Sequence, residues 1–339
     1  MSQFGFGIVG PGFIAGVIAD ALARSSRARL TAVSSRKLEN ARKFVADRPG
    51  VAAVEGIDDL LARPDVDAIY VATPTVAKEE ITLKAIAAGK HVLVDKPFVD
   101  RGSVERMTRA AADKGLVFMD ATHFVHHPRN ATFRAEIPAK IGSPRSLHTA
   151  FYFPFSDREN IRFDPKQEPM TALGDMAWYS MRAVVEYLQP EGKITRAVLA
   201  PERDPKTNAI IRTSGLIAFE GGQVSTFDVG YTAGAILMDL SLLGTTGVLG
   251  MDDFVLDWES SSGFKDSGEK TGYTYRTGMG TRKDATFIPT PTKAAQETSM
   301  VDDFADLAAS GDASLRASYA EATLKTQEYL DALWESAGS

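Results

Sequence analysis

A lysine, an acid and a phenol carry most of the chemistry this chain of 339 residues can offer. Lys96 stands in His91-Val-Leu-Val-Asp-Lys-Pro97, an apolar run that ends abruptly in an acid, a base and a ring. An apolar run bounded by Gly89 and Pro97 reads as a strand buried on both faces of a parallel sheet, with Lys96 emerging at its carboxyl end. Ligands of open α/β sheets bind outside those ends, although a lysine after a strand also serves as a plain solvated group. Asp175 and Tyr179 lie four apart in Leu173-Gly-Asp-Met-Ala-Trp-Tyr-Ser-Met-Arg182, so a helix presents both on one face. Positive charge beside a phenol favours the phenolate, which suits proton transfer at neutral pH. The competing reading makes Asp175 a helix cap and Tyr179 an ordinary core residue.

A second group of residues has the spacing of a dinucleotide loop. Gly10-Pro-Gly12-Phe13-Ile14-Ala15 follows a β-rich run from Phe4 and opens a helical pattern over Phe13 to Arg24, which is the G-x-G-x-x-A fingerprint in its strand, turn, helix context. Gly10 permits the tight turn, Gly12 lets the backbone approach a pyrophosphate, and Ala15 allows close helix packing. Phe13 and Ile14 then sit at the helix N-terminus that faces the phosphates. The next strand ends in Ser34-Ser35-Arg36, where an acid would normally hold the ribose 2′-hydroxyl of NAD. Ser35 and Arg36 suit a 2′-phosphate instead, which predicts NADP over NAD. Alternatively, Arg36 only opens the following helix. Thr73-Pro74 closes the strand nearest the cofactor crevice and is expected to line the ribose, or to be a simple turn.

These residues need elements to position them. Strands at Arg29–Arg36, Val51–Val54, Asp67–Thr73, His91–Val94 and Leu116–Met119 alternate with helices at Leu38–Arg48, around Asp58–Ala62, Glu79–Ala88 and Ser103–Lys114. Such alternation predicts βαβ units and a doubly wound parallel sheet, a Rossmann domain over 1–122. From Leu147 the rhythm changes to successive strands at Leu147–Phe155, Ile194–Leu199, Asn208–Phe219, Gln223–Tyr231, Ile236–Leu243 and Thr246–Met251, interrupted by a helix over Leu173–Leu188. This predicts a second α/β domain over 123–339, with a large, open, mainly antiparallel sheet packed on that helix. Phe264–Arg282 reads as loops or edge strands. Two C-terminal helices follow, at Ala294–Ala309 and Leu315–Ser336, and they are candidates to pack back on the Rossmann domain.

Composition excludes several classes of function. A formal charge of −6 with both signs interspersed leaves no basic face for nucleic acid. No apolar run reaches the length of a membrane span and the N-terminus lacks a secretory pattern, so a cytoplasmic protein is expected. With zero cysteines, thiolate chemistry and sulfur-ligated metals are out. His123, His126 and His127 lie close together, but on a helix His126 and His127 point to different faces and no nearby carboxylate completes a ligand set, so no metal is expected. His123, directly after a strand end, is expected to line a pocket.

The motifs together resemble the Gfo/Idh/MocA oxidoreductases. Gly10-x-Gly12-x-x-Ala15, Gly89-Lys-His-Val-Leu-Val-Asp-Lys-Pro97 and Asp175-x-x-x-Tyr179 match that family in order and spacing. The strings Met119 to Arg129 and Leu173 to Tyr179 look most like the branch holding dimeric dihydrodiol dehydrogenase and NADP-dependent D-xylose dehydrogenases. The resemblance implies that Lys96 is the family's catalytic lysine, followed by a cis bond to Pro97. It implies that Asp175 is the substrate-orienting acid and that Tyr179 stands where many members have histidine. Asp95 replaces the usual glutamate near the nicotinamide ribose, Lys78 stands where many members have histidine, and Val125 falls where many carry arginine.

The expected activity is NADP-dependent hydride transfer to or from a hydroxyl or carbonyl carbon of an aldose, a polyol or a trans-dihydrodiol. Tyr179 would move the hydroxyl proton, Lys96 would lower its pKa and bind the substrate oxygen, and Asp175 would hold a neighbouring hydroxyl. Phe153 offers an aromatic approach, with strand packing as its alternative role, and Asn160 and Arg162 offer polar contacts from a following loop. Competing readings are a catalytically silent NADP-sensing regulator and a reductase of an anhydro-sugar or another carbonyl. A homodimer or homotetramer through the C-terminal sheet is expected.

Overall fold

Strand β1 (Phe4–Val9) buries every residue after Phe4 and lies inside a six-stranded sheet. The computed structural model describes residues 3–155, 157–261, 264 and 267–337. The other strands of this sheet are β2 (Ala28–Ser35), β3 (Ala52–Glu55), β4 (Ala68–Val71), β5 (His91–Val94) and β6 (Phe118–Asp120). They run in the order β3-β2-β1-β4-β5-β6, with every neighbouring pair parallel. That order reverses direction between β1 and β4, the switch point at which doubly wound sheets open a crevice. Helices α1 (Phe13–Arg24), α2 (Leu38–Val45), α3 (Ile57–Leu61), α4 (Thr75–Ala87) and α5 (Arg101–Asp113) alternate with the strands. Helix α4 starts at Thr75, ahead of the expected Glu79, because Pro74 occupies its N-cap, and the fixed φ of proline prepares the first turn.

This sheet belongs to a compact unit that runs up to His126 and also takes in Ala294–Leu324. Its core draws Met300, Val301 and Phe304 from a later helix, Gln296–Ser310, onto Phe6, Ile8 and Tyr70. The Phe304 ring lies 5.3 Å from that of Phe6.

The second unit comprises His127–Lys293 and the chain from Lys325 onward. Its sheet has eight strands: β7 (Pro144–Tyr152), β8 (Ile194–Arg203), β9 (Ile210–Phe219), β10 (Val224–Gly230), β11 (Leu237–Gly244), β12 (Val248–Met251), β13 (Gly272–Arg276) and β14 (Thr286–Pro289). The order is β14-β13-β12-β11-β7-β10-β9-β8. All neighbouring pairs are antiparallel except β7 and β10, which run parallel. Successive strands suggest pairing in chain order, but a helix and the β8–β9 hairpin intervene between β7 and β10, so their direction is set by the return path. β13 lies in the segment expected as loops or edge strands, of which Lys265 and Asp266 fall outside the described residues.

Helix α7 (Thr171–Ala183) lies against β7, β9 and β10, with all but one of its residues buried. An α-helix that is apolar nearly all round belongs in a core. It runs on through a π-helical turn, Val184–Leu188. Its first residue, Thr171, adopts φ +43°, which strains a β-branched residue, and its Oγ1 accepts the Ile210 backbone N–H at 2.8 Å. The helix that carries Asp175 and Tyr179 is thus tied to β9 at its start.

The sequence after Asp120 predicts a turn into a helix that runs to about Arg134; helix α6 (Pro128–Ile141) continues past that point and contains Pro138. Phe133, Ile137 and Ile141 are buried, and this burial offsets the backbone bond that proline removes. His127 caps α6, its Nδ1 accepting the Arg129 N–H at 2.9 Å. Burial, reinforced by the Arg129 charge against the opposing pull of Asp257 and Glu259, depresses the His127 imidazole to about 4. In the unfolded chain the imidazole titrates near 6.5, so below that pH the unfolded state binds the extra proton and stability falls towards pH 4. We expect His127→Asn, which keeps a capping acceptor without a titrating ring, to spare up to about 3 kcal/mol of that acid-induced loss. Urea denaturation of both proteins from pH 7.5 to pH 4 tests this, and identical pH slopes would refute it. Among the described residues, no helix is long and apolar enough to cross a membrane.

Candidate active site

In the first unit, the predicted cofactor residues gather at the carboxyl edge of the parallel sheet. β1 delivers the chain to Gly10, whose φ of +93° suits glycine and where a Cβ would come within 2.9 Å of the Ala72 carbonyl oxygen. At Gly12 an added Cβ would meet nothing within 4 Å, so space is open where the fingerprint predicts a pyrophosphate. Gly12 is also the N-cap of α1. No side chain caps that helix end and no acid stands in its first turn, so the dipole and the first N–H groups face outward. Ala15 is fully buried beneath, Ile14 is half-buried, and Phe13 beside them is 84% exposed.

At the end of β2, Ser34 is committed to structure, its Oγ donating to the Gly56 carbonyl. Ser35 is half-buried and Arg36 exposed. Helix α2 begins only at Leu38 with Lys37 as its N-cap, so Arg36 lies outside the helix. Thr73, just past β4, has a buried Oγ1 with no hydrogen-bond partner among the described residues, and Pro74 follows at the cap of α4. An open glycine cradle, an uncapped helix start and an orphaned threonine hydroxyl on one edge fit the phosphates and ribose of a dinucleotide.

β5 ends on the same edge. Asp95 donates its backbone N–H to the Val71 carbonyl at 3.0 Å, and Lys96 is buried, followed by a cis bond to Pro97 as the resemblance implies. Lys78, noted in the sequence only as a departure from histidine, is 2% exposed and donates from Nζ to the Pro97 carbonyl at 2.9 Å and to Thr75 Oγ1 at 3.2 Å. It thereby clamps the turn that carries Lys96. A lysine in a helix gives no sign of burial in its own spacing, so this role was hidden in the sequence.

The histidines take separate structural places. His123 is buried in a 3-10 turn, with Nδ1 2.8 Å from Gln296 Nε2. His126 pairs through Nδ1 with Asp303 at 2.7 Å and stacks on Tyr319. No group of three or more metal-ligating side chains occurs among the described residues.

In the second unit the substrate candidates form a connected cluster. Asn160 Oδ1 accepts the Arg162 backbone N–H at 3.2 Å and caps the 3-10 turn Ile161–Phe163. Arg162 donates from Nε to Asp175 Oδ2 at 2.8 Å and sets its guanidinium 4.6 Å over the Phe155 ring. Phe153 reaches the cluster through Phe155, at 5.1 Å between ring centroids. Asp175 is not the helix cap, because α7 starts at Thr171 with Met170 before it. Tyr179, one turn on, is 6% exposed and meets the Phe151 ring edge to face at 5.4 Å. Tyr231, which the sequence marks only as the end of a strand, donates from Oη to Asp175 Oδ2 at 3.2 Å.

Residues 4–122 match the model of the oxidoreductase family with an NAD-binding Rossmann fold, named GFO_IDH_MocA. A dTDP-3,4-didehydro-2,6-dideoxy-alpha-D-glucose 3-reductase from Streptomyces violaceoruber is 35% identical over 239 residues, 68% of this chain and 67% of the relative. The NADP-dependent scyllo-inositol 2-dehydrogenase of Bacillus subtilis is 32% identical over 154 residues, 45% of this chain and 46% of the relative. The alignments to these curated relatives thus span about two thirds of their length or less. Among solved structures, a 3-ketoreductase from Actinomadura kijaniata, crystallised with NADP and TDP-benzene, superposes with TM-score 0.86 at 26% identity, covering 99% of this chain and 98% of the other. The chain belongs to the Gfo/Idh/MocA oxidoreductases.

Proposed function

We propose that the protein is an NADP-dependent oxidoreductase acting on a hydroxyl or carbonyl carbon of a polyhydroxylated small molecule. The observation that carries this reading is the common sheet edge of the first unit, where the Gly10–Ala15 loop, Thr73 and Lys96 all stand at carboxyl ends of neighbouring strands. Bound there, the nicotinamide supplies or takes up the hydride. Gly10, Gly12, Phe13 and Ile14 would hold the pyrophosphate, Ser35 and Arg36 the 2′-phosphate, and Thr73, Pro74, Asp95 and Lys96 the nicotinamide side. Phe13, an aromatic left 84% exposed, gains cover when a dinucleotide lies against it.

Lys96 is proposed to bind the oxygen of the reacting carbon and Tyr179 to move the hydroxyl proton. Asp175, with Arg162 and Asn160 beside it, would hold a neighbouring hydroxyl. His123 and Phe153 are retained as substrate-side candidates. The relatives are named as sugar-nucleotide, inositol and anhydro-sugar enzymes, which favours a polyhydroxylated ring over an aromatic dihydrodiol. Two of the three are named reductases, which supports reduction of a keto-sugar as the working direction.

The test is turnover with NADP and NAD against D-glucose, D-xylose, myo-inositol and scyllo-inositol, and with the reduced cofactors against 1,5-anhydro-D-fructose. Activity with NADP and at least one of these compounds is expected. Arg36→Ala should weaken NADP binding by about 10-fold or more and leave NAD binding nearly unchanged, since the guanidinium's charge-assisted bonds address only the 2′-phosphate. A wild type that prefers NAD, with Arg36→Ala indifferent to both cofactors, would sink the NADP assignment.

A further inference from the structure

We propose that Tyr231 is a positioning residue that fixes the direction in which Asp175 presents its carboxylate to a substrate hydroxyl. The proposal rests on the functional reading above, in which Asp175 holds such a hydroxyl. Tyr231 follows directly on β10 and is 1% exposed. Its backbone is held on both sides, the N–H donating to the Ile211 carbonyl at 2.8 Å and the carbonyl accepting the Phe155 N–H at 3.1 Å. Its ring is held as firmly. Phe155 meets it edge to face at 5.4 Å and 89°, and Phe163 packs on it at 5.5 Å and 58°. A ring fixed by two neighbours and by the backbone has one place to put its hydroxyl, and that place is 3.2 Å from Asp175 Oδ2.

Arg162 Nε reaches the same oxygen at 2.8 Å. Two donors converging on one carboxylate oxygen stop the carboxylate from turning about its last bond, so the direction of the other oxygen follows. Phe155 and Phe163 also bracket the loop that carries Asn160 and Arg162. Tyr231 therefore couples the placement of that loop to the placement of Asp175. Burial, and then the neighbouring Asp175 charge, push the Tyr231 phenol well above its ordinary range, so it remains a donor throughout the working pH.

A double-mutant cycle with Tyr231→Phe and Asp175→Asn separates positioning from simple packing, because phenylalanine keeps the ring contacts and removes only the hydroxyl. The substrate is whichever of the five panel compounds wild type turns over fastest. Tyr231→Phe is expected to lower kcat/KM by about 10-fold, chiefly through KM, with the cofactor Kd unchanged. In the Asp175→Asn background, the same change should alter kcat/KM by less than about 2-fold, because the group it acts through has already been altered. Where Asp175→Asn leaves too little turnover, the cycle is read in the sugar's Kd for the cofactor-loaded protein. A wild-type-like Tyr231→Phe, or an equal loss in both backgrounds, overturns the proposal while the functional reading stands. Absence of wild-type turnover with all five compounds defeats the functional reading, and the proposal with it.

Discussion

Lys96→Met and Tyr179→Phe are each expected to lose about 10²- to 10⁴-fold in kcat while still binding cofactor. Methionine reproduces the unbranched stem of the lysine, so the side chain can stay buried at the end of β5 while the ammonium is lost. Phenylalanine keeps the edge-to-face contact of Tyr179 with Phe151 and loses only the phenol. Neither change removes any part of the Gly10–Ala15 loop, the start of α1 or Thr73. The Kd for NADP should therefore stay within about 5-fold of wild type, because a lost surface-of-site contact is worth far less than a lost proton-transfer group. Each tenfold in rate corresponds to about 1.4 kcal/mol of transition-state stabilisation, so the expected loss is about 3 to 5 kcal/mol. Stopped-flow fluorescence of cofactor binding, alongside steady-state rates, checks both halves of the expectation. Turnover near that of wild type in either variant would falsify the assigned roles. Loss of cofactor affinity in parallel with rate would move Lys96 from the reacting carbon to the cofactor.

The parts of this arrangement legible in the sequence are those governed by local rules. The bounds of α1 at Phe13 and Arg24 follow from the glycine turn and the helical period, and β5 at His91–Val94 follows from an apolar run closed by glycine and proline. Lys96 is legible as an edge residue for the same reason, and Asp175 with Tyr179 because a helix brings residues four apart to one face. What escapes is set by distance along the chain. Tyr231 lies 56 residues beyond Asp175, and only the return of β10 beside β7 brings it there. Lys78 reaches Pro97 across 19 residues, from a helix whose burial depends on the sheet beneath it. The parallel pairing of β7 with β10 and the run of α6 past Arg134 are likewise decided by packing rather than by propensity. Even the cap reading of Asp175 could be set aside only by the start of α7 at Thr171, a residue in an uncommon conformation that is bonded to β9.

The same distance hides a buried ion pair of the second unit, and the expected cost of breaking it is comparable to the catalytic effects. Arg129, at the start of α6, forms an ion pair through Nη1 with Asp253 Oδ1 and donates from Nη2 to the Asp253 carbonyl at 2.9 Å and from Nη1 to the Gly272 carbonyl at 3.2 Å. Both side chains are nearly sealed from solvent, at 4% and 3% exposed. Burial raises the Asp253 carboxyl above its ordinary range even though Arg129 pulls it down, so desolvation wins at this pair. Arg129→Met therefore leaves an uncompensated buried acid and is expected to cost about 3 to 5 kcal/mol at pH 7. With the arginine gone, the folded state favours the protonated carboxyl still more than the unfolded chain does. The folded state then takes up the proton first as pH falls, and the deficit should shrink towards pH 5. Arg129→Met with Asp253→Leu removes both charges and should recover much of the loss, since an apolar pair of similar volume avoids the desolvation cost. Urea denaturation of the three proteins at pH 7.5 and pH 5 decides the matter. A deficit that grows on acidification, or a double variant no better than Arg129→Met, would mean that the arginine stabilises α6 and the Gly272 strand by packing rather than by holding the Asp253 charge.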